Sequence, residues 1–131
     1  MDQTLDVPLK PYYVTMTRRV TFSAVHFDIA APTLMIGHNY VLNVSVRGEV
    51  SPITGMVINI KEIDRIVREQ GTSKFHNRLL NDLVEFAGGS VTDEKLLQVL
   101  KNAVSSGLPE GVSLSEISLQ PDELTTFAWS I

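Results

Sequence analysis

The chain has 131 residues, of which 44% are hydrophobic and 20% are charged, with a formal net charge of −4 and no cysteine. The length suits one domain with its own core. The acidic balance argues against nucleic-acid binding, and the lack of cysteine excludes disulfides and thiolate chemistry. No apolar run approaches the roughly 20 residues of a membrane-spanning helix, and the start MDQTLDVPLK lacks the pattern of a signal peptide. We therefore expect a cytoplasmic protein without nucleic-acid or membrane partners.

The first third of the chain is predicted to form strands. Residues 1–12 contain two prolines and no periodicity, and we interpret them as an N-terminal arm. The domain itself is expected to span residues 13–131. Within it, residues 13–24 and 38–50 alternate apolar with polar side chains. This alternation is typical of half-buried strands.

A turn and a capping pattern mark the change from strands to helices. Residues 51–55, SPITG, predict a hairpin turn, and residues 56–60 are expected to return as a third, short strand. Asn59 is a candidate helix N-cap, and Glu62 three residues later completes a capping-box pattern. Apolar residues at helical spacing follow, and Gly71 is expected to end this helix.

The second half of the chain is predicted to hold two more helices and two strands. Residues 76–86 are expected to form a short helical piece. Either Ser90 with Asp93, or Thr92 alone, caps a longer helix, and Gly107 is expected to end it. The final strands are predicted over residues 113–120 and 124–131. Strands arranged in hairpins with helices between them favour an antiparallel α+β fold.

Two histidines lie on the apolar faces of the first two strands. His26 shares its face with Phe22 and Asp28, because successive side chains of a strand point to opposite faces. His38 shares its face with Tyr40 in the same way. If the strands pair through the short loop between them, the two imidazoles meet on one sheet face, which suggests a metal or catalytic site. The alternative is a pair of hydrogen-bonded histidines near a strand end.

Three stretches carry a family resemblance: FSAVH at 22–26, GHNY at 37–40 and SPITGMVINIKEID at 51–64. Together they resemble the 6-pyruvoyl-tetrahydropterin synthase and 6-carboxy-tetrahydropterin synthase family, over residues 14–131. The resemblance implies the tunnelling fold, or T-fold, an α+β fold in which helices pack on one face of a four-stranded antiparallel sheet. It also implies a homo-oligomer, a trimer or a hexamer, with a small-molecule site between subunits.

The resemblance further implies a zinc site made by three histidines. Two of the three positions are His26 and His38, and the remaining one is Ile36, which has no ligating atom. A catalytic zinc site normally has three protein ligands and one open position. Asp28 shares the strand face of His26 and is a candidate replacement ligand. Without it, zinc is not a dependable cofactor, and the two histidines serve as polar groups of a pocket.

Two more positions that carry chemistry in the family differ in this chain. The family's Asp–His proton relay falls on His76 and Asn77, which leaves His76 as a lone acid–base group or as a surface histidine at a helix start. The family's pterin-binding glutamate falls on Gln120, with Glu123 three residues later. A glutamine offers one acceptor and a competing donor where a carboxylate accepts two N–H bonds. We therefore expect weaker selectivity for a pterin.

These departures lead to three hypotheses about function. The leading one is a repurposed enzyme on the same scaffold, in which His26, His38 and His76 act as acid–base groups on a small aromatic or heteroaromatic substrate. A condensation, a cyclisation or an isomerisation would suit such a pocket. The second hypothesis is a non-catalytic protein that binds a ligand or a partner. The predicted ligand-binding residues of the site are Gln120, Glu123 and Asp28. The third is a zinc-dependent lyase of the family's own kind.

Overall fold

A computed structural model describes residues 10–131, so residues 1–9 of the predicted arm lie outside the described part of the chain. A five-stranded sheet and two helices make up the fold, in the order β1 (Tyr13–Phe27), β2 (Met35–Glu49), α1 (Ile60–Ile66), β3 (Arg78–Leu79), α2 (Asp93–Gly107), β4 (Val112–Gln120) and β5 (Phe127–Ser130). The spatial order of the strands is β3-β1-β2-β4-β5. The two-residue β3 pairs parallel to β1, and the other three pairings are antiparallel.

Alternating side chains place the core on one face of this sheet. The buried side chains of β1 and β2 on that face are Phe22, Ala24, Tyr40, Leu42, Val44 and Val46. The two helices cover them, and α2 contributes Leu96, Leu100 and Val104 to the same cluster. Full burial of a valine, leucine or phenylalanine side chain in this set contributes about 1.5–3 kcal/mol. The α+β class with helices on one sheet face is therefore confirmed, with β3 as an additional short strand.

Side-chain caps start both helices. Asn59 is the N-cap of α1, and its Oδ1 accepts a hydrogen bond of 2.8 Å from the Lys61 amide. The predicted capping box does not form, because the Glu62 carboxylate binds Arg65 instead. The helix continues as a π-helical turn over Val67–Gly71, so the predicted end at Gly71 is confirmed. Thr92 caps α2 by accepting from the Lys95 amide.

The predicted third strand over residues 56–60 is wrong. Ser51 organises a compact turn instead, in which its amide donates to the Met56 carbonyl and its hydroxyl accepts from the Ile53 and Thr54 amides. The backbone therefore folds back on itself rather than pairing along β2. It then passes directly to the Asn59 cap of α1.

The predicted helix over residues 76–86 is also wrong. The segment forms β3 and two single 3₁₀ turns, Leu80–Asp82 and Val84–Phe86. The reason is tertiary: Asn77 adopts a positive φ of 59°, which ends any helix there, and its amide donates to the Ser23 carbonyl of β1 at 2.6 Å. Among residues 10–131, no helix has both the length and the apolar character needed to cross a membrane.

Candidate active site

The pairing of β1 with β2 brings His26 and His38 together. In the antiparallel register, Ala24 lies opposite His38 and His26 lies opposite Ile36. Both imidazoles point to the helix-covered face, and their ring centroids are 6.0 Å apart with a tilt of 39°. The expectation that the two rings meet on one sheet face is therefore confirmed.

His26 is buried without a partner. Its side chain is 9% exposed, and neither ring nitrogen has a hydrogen-bond partner among the described residues. Burial lowers the pKa of His26 below its ordinary value of 6.5, whereas the Asp93 carboxylate acts in the opposite direction and His38 adds to the lowering. The ring is therefore neutral at pH 7, with one N–H donor and one bare nitrogen.

A tyrosine of β2 connects this pair to the start of α2. The buried Tyr40 hydroxyl donates a hydrogen bond of 3.0 Å to Asp93 Oδ1, and the Tyr40 ring contacts the His38 ring edge-on at 5.3 Å. Burial and the nearby Asp93 carboxylate both raise the pKa of Tyr40. The sequence analysis placed Tyr40 on a strand face and in the family stretch GHNY, and it placed Asp93 at a helix cap. It gave no signal that both belong to the site.

A cleft of about 320 Å³ opens beside His26. It lies between the strand ends and the first turn of α2, and the residues that line it are His26, Asp28, Ile36, Ser90, Val91, Thr92, Asp93 and Glu94. Three of these side chains are carboxylates. Within the described part of the chain, neither a lysine nor an arginine lines this cleft.

Comparison with known proteins identifies the family. A sequence model described as 6-pyruvoyl tetrahydropterin synthase matches residues 15–129. The chain belongs to the 6-pyruvoyl tetrahydropterin synthase family. Among its relatives, the 6-pyruvoyl tetrahydrobiopterin synthase of Dictyostelium discoideum is 44% identical over 98 residues, which cover 63% of this chain and 72% of that protein. The human protein of the same name is 34% identical over 113 residues, which cover 74% of this chain and 78% of that protein.

Solved structures from the same family share the fold. A Caenorhabditis elegans 6-pyruvoyl tetrahydropterin synthase superposes with a TM-score of 0.81 at 24% identity, and the match covers 95% of this chain and 99% of that one. The Plasmodium falciparum enzyme gives a TM-score of 0.68 at 15% identity, with 91% of this chain and 99% of that one covered. At this level of identity the likeness concerns the fold alone, and the predicted T-fold is confirmed.

The three-histidine zinc site that family membership implies does not fit the side chains of this chain. Ile36 occupies the third position, directly across from His26. The proposed replacement, Asp28, lies beyond the end of β1, where its carboxylate accepts a bond of 3.0 Å from the Ala30 amide. Residues 10–131 contain no group of three histidine, carboxylate or cysteine side chains arranged to hold a metal ion. The set of donors at this site is therefore one ligand short of a catalytic zinc centre.

The third predicted catalytic histidine lies elsewhere. His76 is exposed, and its Nδ1 accepts a hydrogen bond of 3.0 Å from the Ser23 amide. It lines a separate cleft of about 400 Å³ with Arg18 and Arg68. The structure therefore does not bring His76 together with His26 and His38. Instead, His76 supplies an acceptor to the outer edge of β1.

The two predicted pterin-binding side chains do lie together, but on the other side of the sheet. Gln120 and Glu123 line a cleft of about 350 Å³ with Arg19 and Asn39. Leu119, the neighbour of Gln120, is buried in the core, so Gln120 points to the opposite face. Within one chain, this cleft is therefore separate from the cleft beside His26.

Proposed function

We propose that the chain is a pterin-synthase-like enzyme that catalyses a proton-transfer reaction on a small heterocyclic substrate, with His26 as the base. The observation that carries this proposal is the buried, unpartnered imidazole of His26 at a carboxylate-lined cleft. An imidazole that burial keeps neutral has a bare nitrogen that can take up a proton once the substrate displaces the atoms that cover it. Perturbed groups of this kind are typical of functional sites.

The neighbouring groups support a complete acid–base cycle. His26 takes a proton from a carbon or nitrogen of the substrate, and the Asp93 carboxylate stabilises the imidazolium that results. The proton then returns to another atom of the same substrate, either from His26 or through His38, whose ring lies 6.0 Å away. No atom is gained or lost, so the step belongs to an isomerisation or to the ring closure of a cyclisation. A condensation would need a second substrate.

The substrate class follows from the relatives and from the cleft. The relatives are named as synthases of a pyruvoyl tetrahydropterin or tetrahydrobiopterin, which are nitrogen heterocycles. Gln120 and Glu123 offer amide and carboxylate groups that can bind the polar edge of such a ring. Asp28 lines the mouth of the other cleft. These three side chains are the proposed substrate-binding residues.

The active enzyme is proposed to be a homo-oligomer, a trimer or a hexamer, with its site between subunits. Within residues 10–131, hydrogen bonds from β3 and its neighbouring side chains cover the outer edge of β1 only between Ser23 and Phe27, and β5 forms the opposite edge of the sheet. Unpaired strand edges favour pairing with another chain.

A second candidate is a non-catalytic protein that binds a ligand or a partner. One observation favours it: His76, at a position of the family's proton relay, uses its Nδ1 to bind the Ser23 amide, and the neighbouring position is Asn77, which cannot titrate. In this case the clefts bind but do not transform a ligand.

Solvent deuterium exchange separates the two candidates even while the product is unidentified. Dihydropterins and tetrahydropterins that carry a side chain at carbon 6 would be incubated with the purified protein in D₂O and analysed by mass spectrometry. We expect deuterium uptake or isomer formation that is lost in His26→Gln and retained in Glu110→Gln. Binding of a pterin without any exchange would favour the non-catalytic candidate.

A further inference from the structure

The cleft of about 400 Å³ between β1 and the helical segment 60–71 is rich in positive charge. Three arginines line it, Arg18, Arg19 and Arg68, against one carboxylate, Asp64, whereas the whole chain has a net charge of −4. Cationic groups that share a concave site focus a positive potential and raise the local concentration of anions. Neither the proposed reaction nor the proposed substrate-binding residues use this cleft.

The single carboxylate of this cleft is already neutralised. Arg18 Nε and Nη2 each donate to one oxygen of Asp64 at 2.8 Å. A guanidinium carries five N–H donors, so three donors of Arg18 remain for another acceptor. A bidentate pair of this kind also fixes the plane of the guanidinium. Arg18 is therefore held at the wall of the cleft with donors to spare.

Arg68 supplies a positive charge that has no counterpart. It lines the same cleft and forms no ion pair with a carboxylate among residues 10–131. The pKa of Asp64 is lowered first by the hydrogen bonds from Arg18 and also by the positive charge of Arg68. Both guanidinium groups therefore act on one carboxylate, which can balance only one of them. An anion bound in the cleft would balance the other.

Neutral donors and an apolar wall complete the cleft. His76 Nδ1 accepts a hydrogen bond of 3.0 Å from the Ser23 amide, so the neutral imidazole has its proton on Nε2 and donates to any other partner. The hydroxyl of the buried Thr72 is a further donor among the lining residues, and the buried Phe22 and Val67 add apolar surface. A few polar groups beside apolar side chains are typical of small-molecule sites.

We propose that this cleft binds the oxyanion group of a small molecule, a phosphate or a carboxylate, which accepts hydrogen bonds from Arg18, Arg68 and His76. Guanidinium groups match both kinds of oxyanion, because parallel N–H bonds reach two oxygens at once. A cleft of about 400 Å³ has the size of a small-molecule site, so it also accommodates an organic body against the apolar wall. The site is separate from the clefts beside His26 and Gln120, and the inference is therefore independent of the proposed function.

Three aromatic probes of similar size test the charge and the kind of oxyanion: phenyl phosphate, benzoate and the neutral benzyl alcohol. Calorimetric titration of the full chain at constant ionic strength should show binding of at least one of the two anions. Benzyl alcohol should bind at least about tenfold more weakly, because charge-assisted bonds are about twice as strong as neutral ones. The anion that binds more tightly identifies the group as phosphate or carboxylate. Equal affinities for all three compounds, or no binding of any, would overturn the proposal.

Variants locate the site. Arg68→Gln removes the unbalanced charge at an exposed position, so the fold should be kept. We expect it to weaken binding of the preferred anion about threefold to tenfold. Arg47→Gln, which changes an exposed arginine outside the cleft, is the matched control and should bind like the wild type. The Ser23 amide resonance, whose acceptor is His76, should shift when the anion is added. Unchanged affinity in Arg68→Gln, or an equal loss in Arg47→Gln, would place the anion elsewhere and contradict the inference.

Discussion

The Tyr40 hydroxyl donates a hydrogen bond of 3.0 Å to Asp93 Oδ1, and this bond joins β2 to the first residue of α2. Tyr40 also contacts the His38 ring, and Asp93 acts electrostatically on His26. One buried phenol therefore connects the histidine pair on the sheet to the carboxylate on the helix. Removing it should affect both the stability of the fold and the properties of the cleft.

The change Tyr40→Phe removes the donor but keeps the ring stacked on Phe22, whose centroid lies 5.0 Å away. We expect the free energy of unfolding to fall by about 1–2 kcal/mol, because a buried hydrogen bond to a carboxylate is lost. Urea unfolding at fixed protein concentration measures this loss. The control Tyr13→Phe, on a half-exposed ring, should change stability by less than about 0.5 kcal/mol; equal losses would refute this role.

Near His26, side chains form hydrogen bonds to the backbone at the outer edge of β1. The Asn81 amide group accepts from the Phe27 amide at 2.9 Å and donates to the Phe27 carbonyl at 3.0 Å. We expect Asn81→Ala to reduce stability by about 1–3 kcal/mol, because two bonds of about 0.5–1.5 kcal/mol each are lost. Asn81→Asp, which keeps only the acceptor, should be intermediate.

Hydrogen exchange gives the local measurement for this edge. The Phe27 amide should exchange faster in Asn81→Ala, and the Ser23 amide should exchange faster in His76→Ala, because each loses its side-chain acceptor. Asn102→Ala, on an exposed position of α2, is the control. Unchanged exchange at both amides would show that these side chains do not hold the edge.

The sequence reveals which face of a strand a residue occupies, but it does not reveal how a helix packs on the sheet. The alternation of apolar and polar residues placed His26 and His38 on the apolar faces of their strands. This works because every second residue of a strand points to the same face. The bond between Tyr40 and Asp93 joins residues 53 positions apart, and it depends on how α2 packs on the sheet, which no local pattern specifies. Residues 76–86 misled the prediction for a similar reason, since Asn77 and Asn81 bind β1 rather than their own segment.

The position of Ile36 offers a gain-of-function test. It lies across from His26, two residues before His38 on the same strand face, and its side chain is 47% exposed, so a histidine there meets little steric hindrance. We expect Ile36→His to bind about one zinc ion per chain, because three imidazoles then converge. Leu34→His, in the exposed loop before β2, should gain no such site. Equal zinc binding in both variants, or none in either, would contradict the assigned geometry.

The free energy of unfolding at low pH should depend on Asp64. Arg18 binds both carboxylate oxygens at 2.8 Å, and this bonding holds the pKa of Asp64 below its ordinary value of 3.8. A lowered folded-state pKa means that the stabilisation is present above the unfolded-state pKa and is lost as pH falls through the folded-state value. Because both side chains are more than a third exposed, Asp64→Asn should cost less than about 1 kcal/mol at pH 7.

The difference in unfolding free energy between wild type and Asp64→Asn should therefore shrink below about pH 4. Urea unfolding between neutral and strongly acidic pH measures it, with Glu110→Gln as a control for the loss of an exposed carboxylate. A difference that stays constant across the whole pH range would show that the ion pair of Arg18 with Asp64 does not contribute to the loss of stability at low pH.

Metal content of the purified wild-type protein tests the central claim most directly. That claim is that His26, His38 and the Tyr40-anchored Asp93 form a site that works without zinc, because Ile36 stands where a third ligand is needed. Elemental analysis should therefore find far less than about one zinc ion per chain, with the same low value in His26→Ala. About one zinc per chain in the wild type, lost in His26→Ala, would contradict this claim and favour a zinc-dependent lyase.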